Sequence, residues 1–117
     1  MLYIDTNIFL ELELKDAKWG ECKNFLEKVD KNQVAASISS FHLYSVILRI
    51  ENETKSDSRI KKFIDGISSL SGLSIYQPTV SEWITATKTM RKEKLDFDDA
   101  MVISCMIANN IKTLVSF

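Results

Sequence analysis

Short apolar runs alternate with segments of helical period along nearly the whole chain, and this alternation limits the fold more than any other feature. Leu2-Tyr3-Ile4 is an apolar run that stops at an acid, Asp5, and reads as a buried strand. Val34 to Ile38, Leu73 to Tyr76 and Thr113 to Phe117 read the same way. Between them, Trp19, Cys22, Phe25, Leu26 and Val29 recur at helical spacing. A second helix opens at Ser39 and Ser40, which offer capping oxygens, and carries apolar residues from Phe41 to Ile50. The polar stretch Glu51 to Asp57 breaks it. A third has Ile60, Phe63, Ile64, Ile67 and Leu70 on one face and ends near Gly72, which suits a helix cap. Thr79 and Glu82 have capping-box spacing and start a helix that runs to about Lys92. Asp96 opens the last helix, and Asn109-Asn110 ends it, because Asn tolerates the left-handed conformation. Four strands alternating with helices predict a three-layer α/β/α domain around a central parallel sheet of four to five strands.

Bulk properties narrow the function classes. The 117 residues fit a single domain spanning 1–117, with one Pro and three Gly, which excludes a linker-rich or repeat chain. No apolar run approaches the roughly 20 residues needed to cross a bilayer. The N-terminus runs straight into the first strand and does not read as a signal peptide, so a cytoplasmic, membrane-free protein is expected. Cys22 and Cys105, far apart in apolar patterns, read as buried free thiols. A net charge of −1 excludes a uniformly basic nucleic-acid surface. Two local basic stretches remain, Lys55, Arg59, Lys61 and Lys62, then Lys88, Arg91, Lys92 and Lys94. Such runs are most often solvated helix faces; the alternative is contact with a phosphate backbone.

The acids carry the chemical signal. Open α/β sheets bind ligands at the carboxyl ends of their strands. Asp5 ends the first strand, and Asp98 and Asp99 occupy the first turn of a late helix that can open onto the same edge. Carboxylates brought together repel one another unless a hard divalent cation offsets them, and that cation can activate water against a phosphodiester. Helix-dipole compensation, about 0.3–1 kcal/mol each, is the competing explanation for Asp98 and Asp99, and capping for Asp96. Neither explains Asp5, which needs a partner of its own.

Tyr3-Ile4-Asp5-Thr6-Asn7-Ile8-Phe9-Leu10 resembles the opening of PIN-domain proteins, in which a strand delivers an Asp followed by Thr or Ser and Asn. Leu95-Asp96-Phe97-Asp98-Asp99-Ala100-Met101, leading into the final strand, resembles that family's late Asp-Ala helix. The resemblance implies a PIN-like fold, Mg²⁺- or Mn²⁺-dependent endoribonuclease activity, and kinship with VapC-type toxins, which pair with an antitoxin and commonly form homodimers. Asp5 matches the first acidic ligand and Asp99 the later one, with Asp98 beside it. Thr6 and Asn7 match the residues that orient the first Asp, with local turn formation as the competing role.

Two departures stand out. The family usually carries a Glu in the helix after the second strand, where Ser39-Ser40-Phe41-His42-Leu43-Tyr44-Ser45 places Ser45. Serine could hold a metal-bound water but brings no charge. Glu51 is a poor substitute, about 600° further around the helix. His42, one turn before Ser45, could line the site, although a lone His is more often a surface or packing residue. The family also has an acid just beyond the strand where this sequence reaches Phe117, so an acid and a further strand are expected past that point. Metal-dependent cleavage of RNA is therefore the leading reading. A PIN-fold RNA- or protein-binding module with impaired catalysis is the alternative. A phospho-receiver is disfavoured because Lys112 precedes the last strand. Tyr44, Phe63 and Trp83 could form a partner surface, but core packing is the expectation for each.

Overall fold

Tyr3 and Ile4 are wholly buried, and the sheet is built outward from the strand that holds them. The computed structural model describes residues 1–117. Its elements run β1 (Leu2–Ile4), α1 (Thr6–Glu13), α2 (Trp19–Asp30), β2 (Ala36–Ser39), α3 (Ser40–Thr54), α4 (Asp57–Ser68), β3 (Leu73–Tyr76), α5 (Val80–Glu93), α6 (Phe97–Ala108) and β4 (Thr113–Val115). All four strands pair in parallel, in the order β3-β2-β1-β4. Leu2 faces Ala36 of β2 on one side and Thr113 of β4 on the other. Parallel neighbours require crossover connections, which the helices supply. All four residues of β2 are buried, so both faces of the sheet are covered there and the three-layer arrangement is as expected.

The chain lays down β1, β2 and β3 in one direction, then crosses back to place β4 on the far side of β1. Strand order therefore reverses between β1 and β4, and a crevice at their carboxyl ends follows from the topology. α6 runs back from that edge to feed β4, which puts its N-terminus beside the end of β1. Eighteen buried apolar side chains form the core, in which Phe9 and Phe63 meet edge to face at 5.8 Å. Cys22 and Cys105 are buried and free, as expected. No helix is long and apolar enough to cross a membrane.

Several expectations need correction. α1 is a helix that the sequence reading leaves unassigned, because its eight residues give barely two turns in which to show a period. α3 continues through Glu51 to Thr54, its polar tail simply facing solvent, and stops where Lys55 turns left-handed at φ 52°. Gly72 does not cap α4, which ends on Ser69. Its hydrogen bears on packing instead: a Cβ at Gly72 would run into the carbonyl oxygens of Val29 and Val34. The Gly72 amide donates to Val29 O at 3.1 Å, and its carbonyl accepts from Ala36 at 3.0 Å. Phe63 is core, but Tyr44 and Trp83 are 62% and 46% exposed, contrary to the packing expected of them. Asn110 does turn left-handed, at φ 54°, after α6.

Candidate functional site

The crevice between β1 and β4 is an open cavity of about 480 Å³. Asp5, Thr6 and Asn7 enter it from the end of β1 and the start of α1, and Asp98 and Asp99 from the first turn of α6. His42, Ser45 and Arg49 come from successive turns of α3, and Leu114 from β4. Asp5, Thr6, Asn7, Ser45, Asp98 and Asp99 thus line one cavity. Glu51 lines a different depression, as its position around α3 requires.

Local chemistry fixes each acid. Asp5 caps α1: its Oδ1 accepts from the Asn7 amide at 3.0 Å and from Thr6 Oγ1 at 3.4 Å. Here is the partner that the sequence left unidentified. Both bonds fall on the same oxygen, so Oδ2 keeps its lone pairs for the cavity. Asp96 caps α6 by accepting from the Asp99 amide at 2.8 Å, and it does not line the cavity. Asp98 Oδ1 lies 3.0 Å from His42 Nε2. Burial pushes the Asp99 carboxyl above its ordinary range, and the charges of Asp96, Asp98 and Asp5 push it further the same way, while His42 opposes them. The acids therefore feel one another across the two elements.

His42 and Arg49 also line the cavity; the sequence reading offered His42 as a possible lining residue and did not name Arg49. His42 is wholly buried and also lines the cavity, so packing residue and site residue are both correct descriptions. Its helical offset from Ser45 was the available signal. Arg49, one turn beyond Ser45, is the one Lys or Arg in the lining, and its guanidinium reaches Glu53 at 3.3 Å. None of the eight residues of the two basic stretches lines this cavity. Arg59 and Lys62 instead flank a separate depression with Lys15, where Arg59 donates to Glu13 O at 2.6 Å.

The donor set suits a hard cation with an incomplete protein shell. No three His, Cys, Asp or Glu side chains stand close enough together to grip an ion unaided, which speaks against a closed zinc-type cage. Mg²⁺, by contrast, keeps several waters and is commonly held by one or two carboxylates, and Mn²⁺ favours the same oxygen donors. An unshared oxygen on Asp5 and a repelled carboxylate on Asp99 fit that mode.

Comparison with known proteins gives the family and the fold. The family model described as the PIN domain matches residues 2–117. No curated protein matches in sequence. Among solved structures, VapC20 of Mycobacterium tuberculosis, described as a toxin that cleaves the sarcin-ricin loop, is similar with a TM-score of 0.81 at 16% identity; the match covers 100% of this chain and 89% of that one. VapBC2 of Rickettsia felis, bound to a fragment of its promoter DNA, is similar with a TM-score of 0.70 at 24% identity, over 99% and 87% of the two chains. A toxin–antitoxin complex from Klebsiella pneumoniae follows at 0.68 and 17%, over 99% and 85%. At these identities the structural likeness establishes the fold.

Proposed function

The chain belongs to the PIN-domain family, and from that premise we propose that it is a metal-dependent endoribonuclease acting through Asp5, Asp98 and Asp99. The observation that supports this reading is the convergence of Asp5 and the α6 acids, some ninety residues apart in sequence, on one cavity at the strand-order reversal. Asp5 and Asp99 would hold Mg²⁺ or Mn²⁺, with Asp98 acting directly or through water. A divalent cation, when bound, neutralises charge on a phosphoryl oxygen and lowers the pKa of water. Asp5 is oriented by Thr6 and Asn7, which spend one of its oxygens on the helix cap and leave the other toward the substrate. Arg49 stands where its guanidinium can leave Glu53 for a phosphate, and the pairing it gives up is exposed and weak. Ser45 adds a neutral hydroxyl that can hold water.

The structural neighbours favour the toxin of a toxin–antitoxin pair over a housekeeping nuclease, with an antitoxin protein as partner and a homodimer as the assembly. The Asp5 amide donates to Val115 O at 3.0 Å, so the end of β4 lies beside the tip of β1.

The test is cleavage of single-stranded RNA with Mn²⁺ present or chelated. Asp5→Asn is the control of choice, since Asn caps a helix as well as Asp and leaves the fold intact. Cleavage that requires Mn²⁺ and falls at least a hundredfold in Asp5→Asn is expected. Equal cleavage by both proteins contradicts the proposal. Ser45, uncharged inside the cavity, favours one second reading, a binding module with impaired catalysis; RNA retained without cleavage, with Mn²⁺ supplied, would select it.

A further inference from the structure

His42 is the only histidine in the chain, and its ring is wholly buried while one edge reaches the acid cavity. The buried edge is the better defined. Nδ1 lies 2.8 Å from Tyr3 Oη and 2.7 Å from Ser39 Oγ. Tyr3 Oη accepts from the Ser39 amide at 3.0 Å and keeps its own proton available for donation to Nδ1. Ser39 Oγ in turn accepts from the His42 amide at 3.1 Å. A ring nitrogen that receives a hydroxyl proton carries none, so the neutral ring bears its proton on Nε2. That nitrogen faces two acceptors, Asp98 Oδ1 at 3.0 Å and Asp98 O at 3.3 Å. A lone pair there would be repelled by both oxygens, whereas an N–H satisfies them.

Phe41 and Tyr3 meet the ring edge to face at 5.0 Å and 5.9 Å, which removes its freedom to tilt. The Asp98 side chain, by contrast, is 55% exposed and has no other hydrogen-bonding partner. We propose that His42 is a positioning residue: through Nε2–H it holds the Asp98 carboxylate at the cavity, while Tyr3 and Ser39 fix the ring's tautomer. The inference rests on the metal-dependent reading of that cavity. It also gives α3 a role at the site that Ser45 alone does not provide. The helix from which the family resemblance implies a carboxylate here contributes a donor that aims a carboxylate of α6.

Two measurements test this. In the untagged chain labelled with ¹⁵N-histidine, one imidazole signal set is present, and it should report Nε2 protonated and Nδ1 unprotonated, with the Nε2–H resonance moving in Asp98→Ala. A proton on Nδ1 instead, or a resonance indifferent to Asp98→Ala, overturns the proposal. The second measurement is Mn²⁺ affinity by electron paramagnetic resonance, alongside thermal melting. His42→Gln places an amide N–H near the position of Nε2, and His42→Asn places one near Nδ1; both remove the ring, so a purely structural role would affect them alike. Positioning predicts affinity within a few-fold of the natural chain for His42→Gln and a loss of about 10–100-fold for His42→Asn. Equal affinity in the two variants overturns the role of His42. A natural chain that binds no Mn²⁺ but shows the expected imidazole signals overturns the metal reading of the cavity and leaves the His42–Asp98 contact standing.

Discussion

Asp99 shows what the site costs the fold when no cation is present. Burial and the neighbouring carboxylates raise its pKa above the ordinary 3.8, which means the ionised form is less comfortable folded than unfolded. Stability from this residue is therefore greatest below the ordinary carboxylate range and is lost as pH rises through its folded pKa. Asp99→Asn, measured by thermal melting without divalent ions, should accordingly melt higher than the natural chain at pH 7, and the gap should close as pH falls below about 4. Saturating Mn²⁺ should reverse the order at pH 7, because the cation stabilises only the carboxylate. A variant that melts lower at pH 7 without cation would mean that helix-dipole compensation outweighs repulsion at this position. The sequence already showed Asp98 and Asp99 as first-turn acids, and the larger repulsion on Asp99 comes from its neighbours Asp96 and Asp98; the smaller share from Asp5 is a tertiary fact. Asp5 itself was legible as a site residue and not as a cap, because the helix it caps was hidden.

That hidden helix is the main loss at the scale of elements. α1 carries Ile8 and Phe9 inward and Leu10 and Leu12 partly so, and its eight residues are too few to display a helical period clearly directly after a strand. Where the period runs over three turns or more, as on α2, α4 and α5, the sequence placed the helix closely. The capping residues also told their positions: Thr79 with Glu82 and Asp96 with the Asp99 amide form as their spacing implies. Gly72 misled because two different demands select glycine. A cap needs a left-handed backbone, whereas the turn into β3 needs room for two carbonyl oxygens. Since those oxygens belong to backbone that β2 and α2 hold in place, Gly72→Ala should destabilise the fold by about 1–3 kcal/mol. Urea unfolding followed by circular dichroism measures it, and a change near zero would mean that the α2–β2 turn yields freely.

At the scale of the molecule, topology does what composition could not indicate. A net charge of −1 says nothing of a site, and the two basic stretches that drew attention in the sequence lie outside the cavity lining. The reversal between β1 and β4 gathers residues from both ends of the chain; the alternation of strands and helices implied a parallel sheet but not this strand order. His42 and Arg49 were not foreseeable with equal force, because one turn of α3 in either direction from Ser45 gives no preference until the ring's buried partners are known. The account as a whole depends on Asp5 and the α6 acids sharing one cation. A crystal structure of the chain soaked in Mn²⁺, with the metal located by its anomalous scattering, measures this directly. The expected result is a single strong peak in the β1–β4 crevice, ligated by oxygens of Asp5 and Asp99 and by water. Manganese bound elsewhere, or touching only one of the two elements, would contradict it.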